Sequence, residues 1–475
     1  MIHTRRSDKN HLAKIEKAFH LYKIENMENK NVTLVGAGLV GSLLSIYLAK
    51  RGYKVNVFER RPDMRKATIS AGKSINLALS DRGWRALEGV GIADEIRKIA
   101  IPMYGRHIHN KNGTTSFQPY GKDNQAIYSV SRGEINMKLM DLAEQQPNVK
   151  INFNERCTHV DRASLETSFE NDVTKNTTKI KSDLLFGADG AFAASRLSMQ
   201  LSTDRFEYNQ HYIEAGYKEL IIPPGKNGEF MMEKNALHIW PRGSFMMIAL
   251  PNPDGNFTCT LFLPFEGEKS FANLKTKEQV KAFFETEFPD AVPLMPTLLD
   301  DFIHNPAASL VTVKCFPWTF DNKVALIGDA AHAIVPFFGQ GMICGFEDCV
   351  VLDKLITKHN EDWTKIFPEY QELRKPDGDA IADMAIANFV EMRDKTGDPK
   401  FLLQKKIEAS FSSKHPDKWV PFYSKVVFSP DVRYSTAMKD GQAQEAIMQK
   451  IMAMPDIENK WDSTEVENAI LGYLK

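Results

Sequence analysis

The chain has 475 residues, with 60 Lys and Arg residues against 61 Asp and Glu residues and a formal net charge of −1. This balance gives no general affinity for nucleic acid or for an anionic membrane surface. The length is sufficient for two or three domains with large cores.

The five cysteines stand at positions 157, 259, 315, 344 and 349 and form no CxxC pair. This usage argues against a disulfide framework or a metal site and fits a cytoplasmic location best. The longest apolar stretches, such as Phe245 to Leu250, fall far short of the roughly 20 residues that span a bilayer. We therefore expect neither a membrane-spanning helix nor a membrane anchor.

The first 26 residues are basic and polar and lack the apolar core of a secretory signal. The string MENKNVTLVGAG, from Met27, would serve as a natural start, which predicts that residues 1–26 are a disordered or non-native extension. The alternative is an amphipathic helix around Leu12 and Phe19.

The string VTLVGAGLVGSLLSIYLAK predicts a strand, a glycine turn and a helix that begins at Leu39 and Val40. Gly36 permits the tight turn, Gly38 lets a pyrophosphate approach bare backbone, and Gly41 lets the helix pack against the strand. This order of elements predicts a dinucleotide-binding site.

The second predicted strand, Lys54 to Phe58, ends in Glu59, whose carboxylate can accept hydrogen bonds from both hydroxyls of a ribose. Arg60 and Arg61 follow the carboxylate. Because an arginine here could hold the 2'-phosphate of NADP, this stretch alone leaves FAD and NADP open.

The predicted elements indicate an α/β fold in several parts. Residues 27–200 and 320–360 form a discontinuous nucleotide-binding domain of Rossmann type, because strands and helices alternate there. Residues 201–319 form an antiparallel β-sheet domain, since runs such as FTCTLFLPF are separated by turns. Residues 361–475 are predicted to be mostly helical.

Two further stretches of the sequence are predicted to contact the same nucleotide. LLFGADGAFAASR (184–196) places Asp189 in a turn after a strand. VALIGDAAHAIVPFFGQGMICGFEDC (324–349) ends a strand before Asp329, whose carboxylate can hold ribityl hydroxyls. The helix after Gly341 points its N-terminal amides at an anion, such as the electron-rich edge of a reduced flavin.

In this order the three stretches resemble the flavoprotein aromatic hydroxylases, whose FAD lies in one glutathione-reductase-like domain. The resemblance implies tight, noncovalent FAD with Glu59 at the adenosine ribose, and NADPH as a transient co-substrate. In the family a reduced flavin captures O2 as a C4a-hydroperoxide and passes one oxygen atom to an aromatic ring. Arg132 matches the family's arginine near the flavin phosphates; the alternative is a surface salt bridge that caps a helix.

The same resemblance implies a set of cofactor contacts along the chain. They are Gly36, Gly38, Leu39, Val40, Gly41, Glu59, Arg60, Ala78, Arg132, Cys157, Asp189, Asp329, Gly341, Met342 and Ile343. The family commonly has GQGMN where this chain has isoleucine at position 343, which removes a polar side chain next to the flavin.

More specific strings, among them GKSINLALSDRG, QPYG, LHIWPRGSFMMIALPN, NFVEMR and FYSKVVFS, resemble the branch of the family that hydroxylates L-kynurenine. Carried over by position, the resemblance implies contacts with the amino-acid end of the substrate at Arg106, Tyr120, Asn388 and Tyr423. A guanidinium fork and phenolic donors suit a carboxylate, and an amide supplies both a donor and an acceptor.

Each of these residues has a plainer alternative. Arg106 could pair with a carboxylate on a neighbouring strand, Asn388 could be a solvent-facing helix residue, and Tyr423 could be a core tyrosine. Phe338 is expected to position the substrate ring together with Tyr423, although Phe337 and Phe338 could be core residues only.

The resemblance predicts an FAD- and NADPH-dependent monooxygenase of tryptophan degradation that converts L-kynurenine into 3-hydroxy-L-kynurenine with O2, as a monomer or homodimer. No catalytic base stands out, which suits an aniline, because its nitrogen lone pair is available at neutral pH. The alternatives are a hydroxylase of another small aromatic acid, such as a hydroxybenzoate, which would need a Tyr or His relay, and a non-catalytic flavin-binding sensor.

Overall fold

The computed structural model describes residues 30–66, 75–121, 125–394 and 398–474. Residues 1–26, with their two alternative interpretations, lie outside the described residues. The same is true of the first residues of the GKSINLALSDRG string.

Strands and helices alternate early in the chain, strands dominate its middle, and helices form its end. The strands, numbered in chain order, are β1 (Asn31–Val35), β2 (Lys54–Glu59), β3 (Asn76–Leu79), β4 (Ile101–Met103), β5 (Gly105–His109), β6 (Thr115–Pro119), β7 (Ile127–Ser131), β8 (Val149–Phe153), β9 (Glu155–Asp161), β10 (Glu166–Asn171), β11 (Thr177–Lys181), β12 (Leu184–Gly187), β13 (Glu207–Ile222), β14 (Ala236–Pro241), β15 (Met246–Pro251), β16 (Phe257–Pro264), β17 (Ala308–Phe316), β18 (Thr319–Phe320) and β19 (Val324–Leu326). The α-helices are α1 (Leu39–Lys50), α2 (Asp81–Gly89), α3 (Ala93–Arg97), α4 (Arg132–Glu144), α5 (Ala194–Leu201), α6 (Lys277–Glu287), α7 (Leu298–His304), α8 (Asp329–His332), α9 (Gly341–Lys358), α10 (Trp363–Asp394), α11 (Pro399–Lys414), α12 (Phe422–Phe428), α13 (Tyr434–Met452), α14 (Ile457–Lys460) and α15 (Thr464–Tyr473).

A six-stranded sheet in the order β18-β19-β12-β1-β2-β8 forms the centre of the nucleotide-binding part. All neighbours in it run parallel except β18, which is antiparallel to β19. The strand β1 is almost entirely buried, as expected of a central parallel strand covered by helices on both faces. The unit β1-α1-β2 is the strand, helix and strand that the glycine string predicts.

Two glycines make the turn between β1 and α1 possible. Gly36 has a φ of 103°, and a Cβ there would lie 2.5 Å from the carbonyl oxygen of Ala188. A Cβ on Gly41 would lie 2.1 Å from the carbonyl oxygen of Gly36. The space beside Gly38, in contrast, holds no atom within 4 Å. The turn is therefore tight on the protein side and open on the side where a phosphate would approach.

A seven-stranded sheet in the order β17-β13-β16-β15-β14-β5-β6 forms the middle of the molecule. Its strands pair antiparallel except β14 and β5, which are parallel. The sheet includes residues 105–119, which the sequence assigned to the nucleotide-binding domain. That assignment needs correction because the partners of β5 and β6 lie far away in sequence, and local alternation carries no information about them.

The two faces of this sheet pack against different partners. One face contributes Leu237, Ile248 and Phe262 to a core shared with α10, α12 and α13. The opposite face carries Trp240 and Met247 against α6 and α7. The first face therefore meets the helical end of the chain.

Within the described ranges, no helix is long and apolar enough to cross a membrane.

Alanine substitution at a crowded glycine should destabilise the protein more than alanine substitution at a glycine that borders open space. Gly41→Ala drives a Cβ into backbone that has no room to move, so the free energy of unfolding should fall by about 2 kcal/mol or more. Gly38→Ala enters open space at a helix N-cap and should cost less than about 1 kcal/mol. Urea unfolding of the two variants measures the difference, and equal losses would contradict the geometry of the turn.

Candidate active site

Glu59 lies at the end of β2, against the glycine turn. Its carboxylate accepts hydrogen bonds from the backbone N–H of Ala37 at 2.9 Å and from the backbone and Nε of Arg61 at 3.0 and 2.7 Å. Burial alone would raise the pKa of Glu59, but the hydrogen bonds and charge of Arg61 hold it below its usual value. An ionised carboxylate with spare acceptor capacity suits a ribose hydroxyl. Accepting both hydroxyls would require the half-exposed side chain of Arg61 to move aside, while Arg60 already points to solvent.

Asp189 and Cys157 lie beside the same sheet. Asp189 follows β12 and accepts a hydrogen bond from the backbone N–H of Ser195 at 3.0 Å, and burial raises the pKa of its carboxyl. Cys157, on β9, is 7% exposed, and burial together with the charge of Asp189 raises the pKa of its thiol to about 12. Because the thiol is neutral and buried, a cofactor contact at Cys157 would have to come from its backbone.

The turn at Gly328 and Asp329 is held in place by a carboxylate of helix α9. Asp348 accepts hydrogen bonds from the backbone N–H of Gly328 at 3.1 Å and from Nε2 of His332 at 2.6 Å. Arg374, on α10, donates to its second oxygen at 2.7 Å. The Asp348 side chain is fully buried. These three contacts leave the side chain of Asp329 free to face the cleft, where it is exposed.

Arg132 is the first residue of α4 and faces the same cleft. The surrounding protein raises the pKa of Asp329, while the positive charge of Arg132 acts to lower it. The N-cap of α4 is Ser131, whose hydroxyl accepts a hydrogen bond from the N–H of Glu134. The capping role that the sequence left open for Arg132 therefore belongs to Ser131, and a contact between Arg132 and the flavin phosphates stays a prediction.

Helix α9 begins at Gly341, after a short 3-10 turn at Pro336–Phe338. Gly339 has a φ of 67°, and a Cβ there would lie 3.5 Å from Cβ of Ala78 on β3. The glycine turn thus packs closely against β3 just before α9 begins with its unpaired N-terminal amides.

The two side chains after Gly341 pack in the core of the nucleotide-binding part. Ile343 is fully buried, and a Cβ added to Gly83 would lie 2.7 Å from its Cδ1. Met342 is 9% exposed. The expectation that the side chain at position 343 borders a flavin does not fit this packing, so a cofactor contact there would use the backbone amide.

Arg106 lies on β5, on the face of the seven-stranded sheet that meets the helices. Its guanidinium carbon is 5.3 Å from the ring centroid of Tyr120 and 4.5 Å from that of Tyr423. The two tyrosine rings lie 5.8 Å apart, and the ring of Tyr423 lies 5.5 Å from that of Phe338. The fold thus brings together residues from β5, the end of β6, a 3-10 turn and α12.

The charge of Arg106 has no acidic partner within the described ranges. Burial alone would lower the pKa of its guanidinium, but the hydroxyls of Tyr423 and Tyr120 act in the opposite direction and the pKa stays above its usual value. The hydroxyl of Tyr120 is buried without a hydrogen-bond partner there, and burial raises its pKa, so it remains a neutral donor. Arg106 therefore does not form the salt bridge with a neighbouring strand that the sequence left open.

Asn388 projects from α10 towards the same cluster. Its Nδ2 donates a hydrogen bond to the carbonyl oxygen of Phe337 at 2.7 Å, and the side chain is half-buried. The ring of Phe337 lies 4.3 Å from that of Phe389 and 5.0 Å from that of Phe262. Asn388 is thus no solvent-facing helix residue, and its amide fixes the backbone just before Phe338. A contact between Asn388 and substrate stays a prediction.

Sequence analysis missed the apolar wall opposite these rings. Leu237 on β14, Ile248 on β15 and Phe262 on β16 face the cluster that contains Tyr120 and Phe338. The alternation in the strings LHIWP, MMIAL and FTCTLFLP indicates that every second residue shares a face. It does not indicate which face meets the helical end of the chain, so the signal was incomplete.

Among the residues that the structure describes, one buried cluster of three side chains has the composition of a metal site. Ligand atoms of His332, Cys344 and Asp348 lie within 4.8 Å of one another. Arg374 donates to Sγ of Cys344 at 3.2 Å and also to Asp348. Because a guanidinium already holds the position that a metal cation would need, we assign this group to ion pairing.

Comparison with known proteins places this geometry in a class. A family model described as an FAD binding domain matches residues 29–385, which is more than half of the chain. The fold is similar to the tetrameric form of 2-methyl-3-hydroxypyridine-5-carboxylic acid oxygenase, with a TM-score of 0.62 and 20% identity over 78% of this chain and 95% of that one. It is also similar to P. aeruginosa PqsL in complex with 2-aminobenzoylacetate, with a TM-score of 0.62 and 17% identity over 77% and 97%. The fold and the site are those of an FAD-binding protein.

Similarity in sequence is more specific. Proteins named kynurenine 3-monooxygenase from Christiangramia forsetii and Flavobacterium johnsoniae are each 51% identical to this chain over 94% of its length and over 99% and 98% of their own. A protein of the same name from Sus scrofa is 43% identical over 89% of both chains. The chain belongs to the kynurenine 3-monooxygenase family. The fold class and the family that the sequence predicts are confirmed.

The pairing of His332 with Asp348 predicts a dependence of stability on pH. Burial alone would lower the pKa of His332, but the charge of Asp348 raises it well above its usual value. The folded protein therefore keeps a proton that the unfolded chain loses above about pH 6.5. The free energy of unfolding should be highest below that pH and should fall between pH 6.5 and 8, by up to about 1.4 kcal/mol per pH unit.

Urea unfolding at several pH values within this range measures the slope, and His332→Gln should flatten it. His238 is a matched control, because burial lowers its pKa to about 4 and its contribution changes only below pH 6.5. His238→Gln should keep the slope above pH 6.5. A slope that survives in His332→Gln would show that another group causes it.

Proposed function

We propose that this protein is an FAD- and NADPH-dependent monooxygenase that hydroxylates L-kynurenine to 3-hydroxy-L-kynurenine. The observation that carries the proposal is the half-buried guanidinium of Arg106, which lies against aromatic rings and has no acidic partner among the described residues. A partly buried charge without a partner is costly, so this position suits a ligand that brings a carboxylate. The relatives named above carry the same activity in their names.

The proposed roles of the substrate residues follow from their chemistry. Arg106 binds the carboxylate through its fork, and the hydroxyls of Tyr120 and Tyr423 donate to the same oxygens. Asn388 offers its amide oxygen to the α-amino group, because a protonated amine can only donate hydrogen bonds. The ring of kynurenine then lies against Phe338.

The cofactor residues fit FAD because the glycine turn is open beside Gly38 and the carboxylates of Glu59 and Asp329 border the cleft. FAD, when bound, takes reducing equivalents from NADPH and activates O2. The turn from Phe338 to Gly341 joins the two halves of the site, because Phe338 borders the substrate cluster while Gly341 opens α9. The chain's own contribution is therefore to align the substrate ring with this turn and to keep water out.

The pocket residues named above include no carboxylate and no imidazole. A phenolic substrate would need a Tyr or His relay at its ring to remove the proton, and the two tyrosines of the pocket, Tyr120 and Tyr423, lie beside the guanidinium of Arg106 instead. The amino group of kynurenine needs no relay, because its lone pair activates the ring. This composition favours an aniline substrate over a hydroxybenzoate. The five cysteines are all buried and unpaired, which supports a reducing compartment, and we place the protein in the cytoplasm as a monomer or homodimer.

One assay tests the proposed activity directly. NADPH consumption is measured with kynurenine, with 4-hydroxybenzoate and without substrate, and hydroxylated product is quantified separately. We expect kynurenine alone to stimulate NADPH consumption and to yield product. Stimulation only by 4-hydroxybenzoate would indicate a different hydroxylase, and no stimulation at all would indicate a non-catalytic flavin-binding protein.

The role of Arg106 has its own test. Arg106→Ala leaves the substrate carboxylate without its partner and should cost roughly 2–5 kcal/mol of binding. The dissociation constant for kynurenine should therefore rise about 30-fold or more. Arg106→Lys should restore only part of the affinity, because a point charge cannot form two parallel hydrogen bonds.

FAD content should stay unchanged in both variants, since the cofactor residues lie on other elements. Arg156→Ala, which removes a partly exposed arginine on β9, is the matched control and should bind kynurenine like wild type. If Arg106→Ala binds kynurenine within about threefold of wild type, which is less than 1 kcal/mol, Arg106 does not belong to the site.

A further inference from the structure

Arg82 is a fully buried arginine on α2 that lies in neither half of the proposed site. The side chain is 1% exposed. Its Nε donates to the carbonyl oxygen of Val426 at 2.6 Å, and its Nη2 donates to the carbonyl oxygen of Ser429 at 3.0 Å and to that of Val432. Three backbone carbonyls at the end of α12 and just beyond it are thus bound by one guanidinium.

Helix α12 carries two aromatic residues of the substrate cluster. The ring of Tyr423 lies 5.5 Å from that of Phe338, and the ring of Phe422 lies 5.9 Å from it with an interplanar angle of 83°. The helix has seven residues, so its orientation depends on what holds its ends. Arg82 binds the carboxyl-terminal end of this helix, beginning three residues after Tyr423.

The same guanidinium also reaches the helix at the flavin turn. Its Nη1 donates to Oε1 of Glu347 on α9 at 2.8 Å, and its Cζ lies 4.3 Å from the ring centroid of Tyr434. The hydroxyl of Tyr434 donates to Oε1 of Gln340 at 2.8 Å, and Gln340 is the N-cap residue of α9. Arg82 is thus connected to the first residues of α9 through both Glu347 and Tyr434.

These contacts depend on the planar fork of an arginine. Four N–H groups point in fixed directions to four oxygens on α9, in the last turn of α12 and in the segment after it, and the flat face of the guanidinium covers a tyrosine ring. A lysine keeps the charge but has a single nitrogen, which cannot reach these oxygens together. Substitution by lysine therefore loosens the connection between α2, α9 and α12 without removing the positive charge.

We propose that Arg82 is a positioning residue that couples the substrate rings on α12 to the flavin turn at the start of α9. The proposal rests on the proposed function, because it assigns Tyr423 to the substrate and the turn before Gly341 to FAD. Arg82 touches neither molecule. Its effect passes through α12 to Tyr423, and through Tyr434 to Gln340.

The test compares three purified, FAD-loaded variants with wild type at a temperature well below their melting points. Kynurenine binding is followed by the change in visible absorption of the bound flavin, and product formed per NADPH consumed is measured separately. In Arg82→Lys we expect the dissociation constant for kynurenine to rise about 5- to 10-fold and product per NADPH to fall at least about twofold, the range for residues that act through others.

Tyr434→Phe removes only the hydrogen bond to Gln340. It should lower product per NADPH while the dissociation constant for kynurenine stays within about twofold of wild type, less than 0.5 kcal/mol. Arg85→Lys is the control, since Arg85 lies on the same helix and also contacts Glu347, at 3.2 Å, while its other partner is the exposed Asp431. It should match wild type in both measurements.

A purely structural role for Arg82 would lower only the melting temperature. Wild-type affinity and wild-type product per NADPH in Arg82→Lys would therefore overturn the proposal. If Arg82→Lys does not fold, Tyr434→Phe decides, because an unchanged product ratio there would remove the connection to the flavin turn. A wild-type protein that binds FAD but no kynurenine would refute the proposed function, and the coupling would fall with it.

Discussion

The carboxylate of Asp348 is buried without access to water, and three different elements depend on it. It binds the backbone of Gly328, the ring of His332 and the guanidinium of Arg374. The charges of His332 and Arg374 outweigh the effect of burial and hold the pKa of Asp348 below its usual value. A buried carboxylate with these partners stabilises one arrangement of α8, α9 and α10, and removal of His332 or Arg374 would leave its charge less well compensated.

This arrangement determines the shape of the cleft. With Gly328 held against α9, Val40 packs between Gly328 and Gly345, which places α1 and its open glycine turn beside the same cleft. Asp329 follows the held glycine and is left exposed towards the cleft. The nucleotide-binding surface is thus supported by buried contacts behind it.

The half-buried Arg106 has different surroundings from the buried Arg82 and Arg374. Arg82 and Arg374 are surrounded by carboxylates and carbonyl oxygens, which satisfy their charge and make them structural. Arg106 faces the rings of Tyr120 and Tyr423 instead. The binding site for a carboxylate that we propose at Arg106 needs such an unsatisfied cation, and the well-packed network elsewhere offsets the cost of keeping it.

The sequence by itself determined the features that depend on neighbours along the chain. The turn at Gly36, the packing at Gly41 and the carboxylate at the end of β2 follow from sterics and strand period within a short stretch, and family resemblance named Arg106, Tyr120, Asn388 and Tyr423. Only the tertiary structure decided the rest, because it depends on contacts between distant segments. In the tertiary structure, β5 and β6 belong to the seven-stranded sheet, and Ile343 lies in the core. Asn388 donates a hydrogen bond to the carbonyl of Phe337. Arg82 is buried, although the pattern of its helix would equally suit a surface arginine. Local patterns specify which face of an element is apolar, whereas the partner that covers that face is chosen by packing of the whole chain.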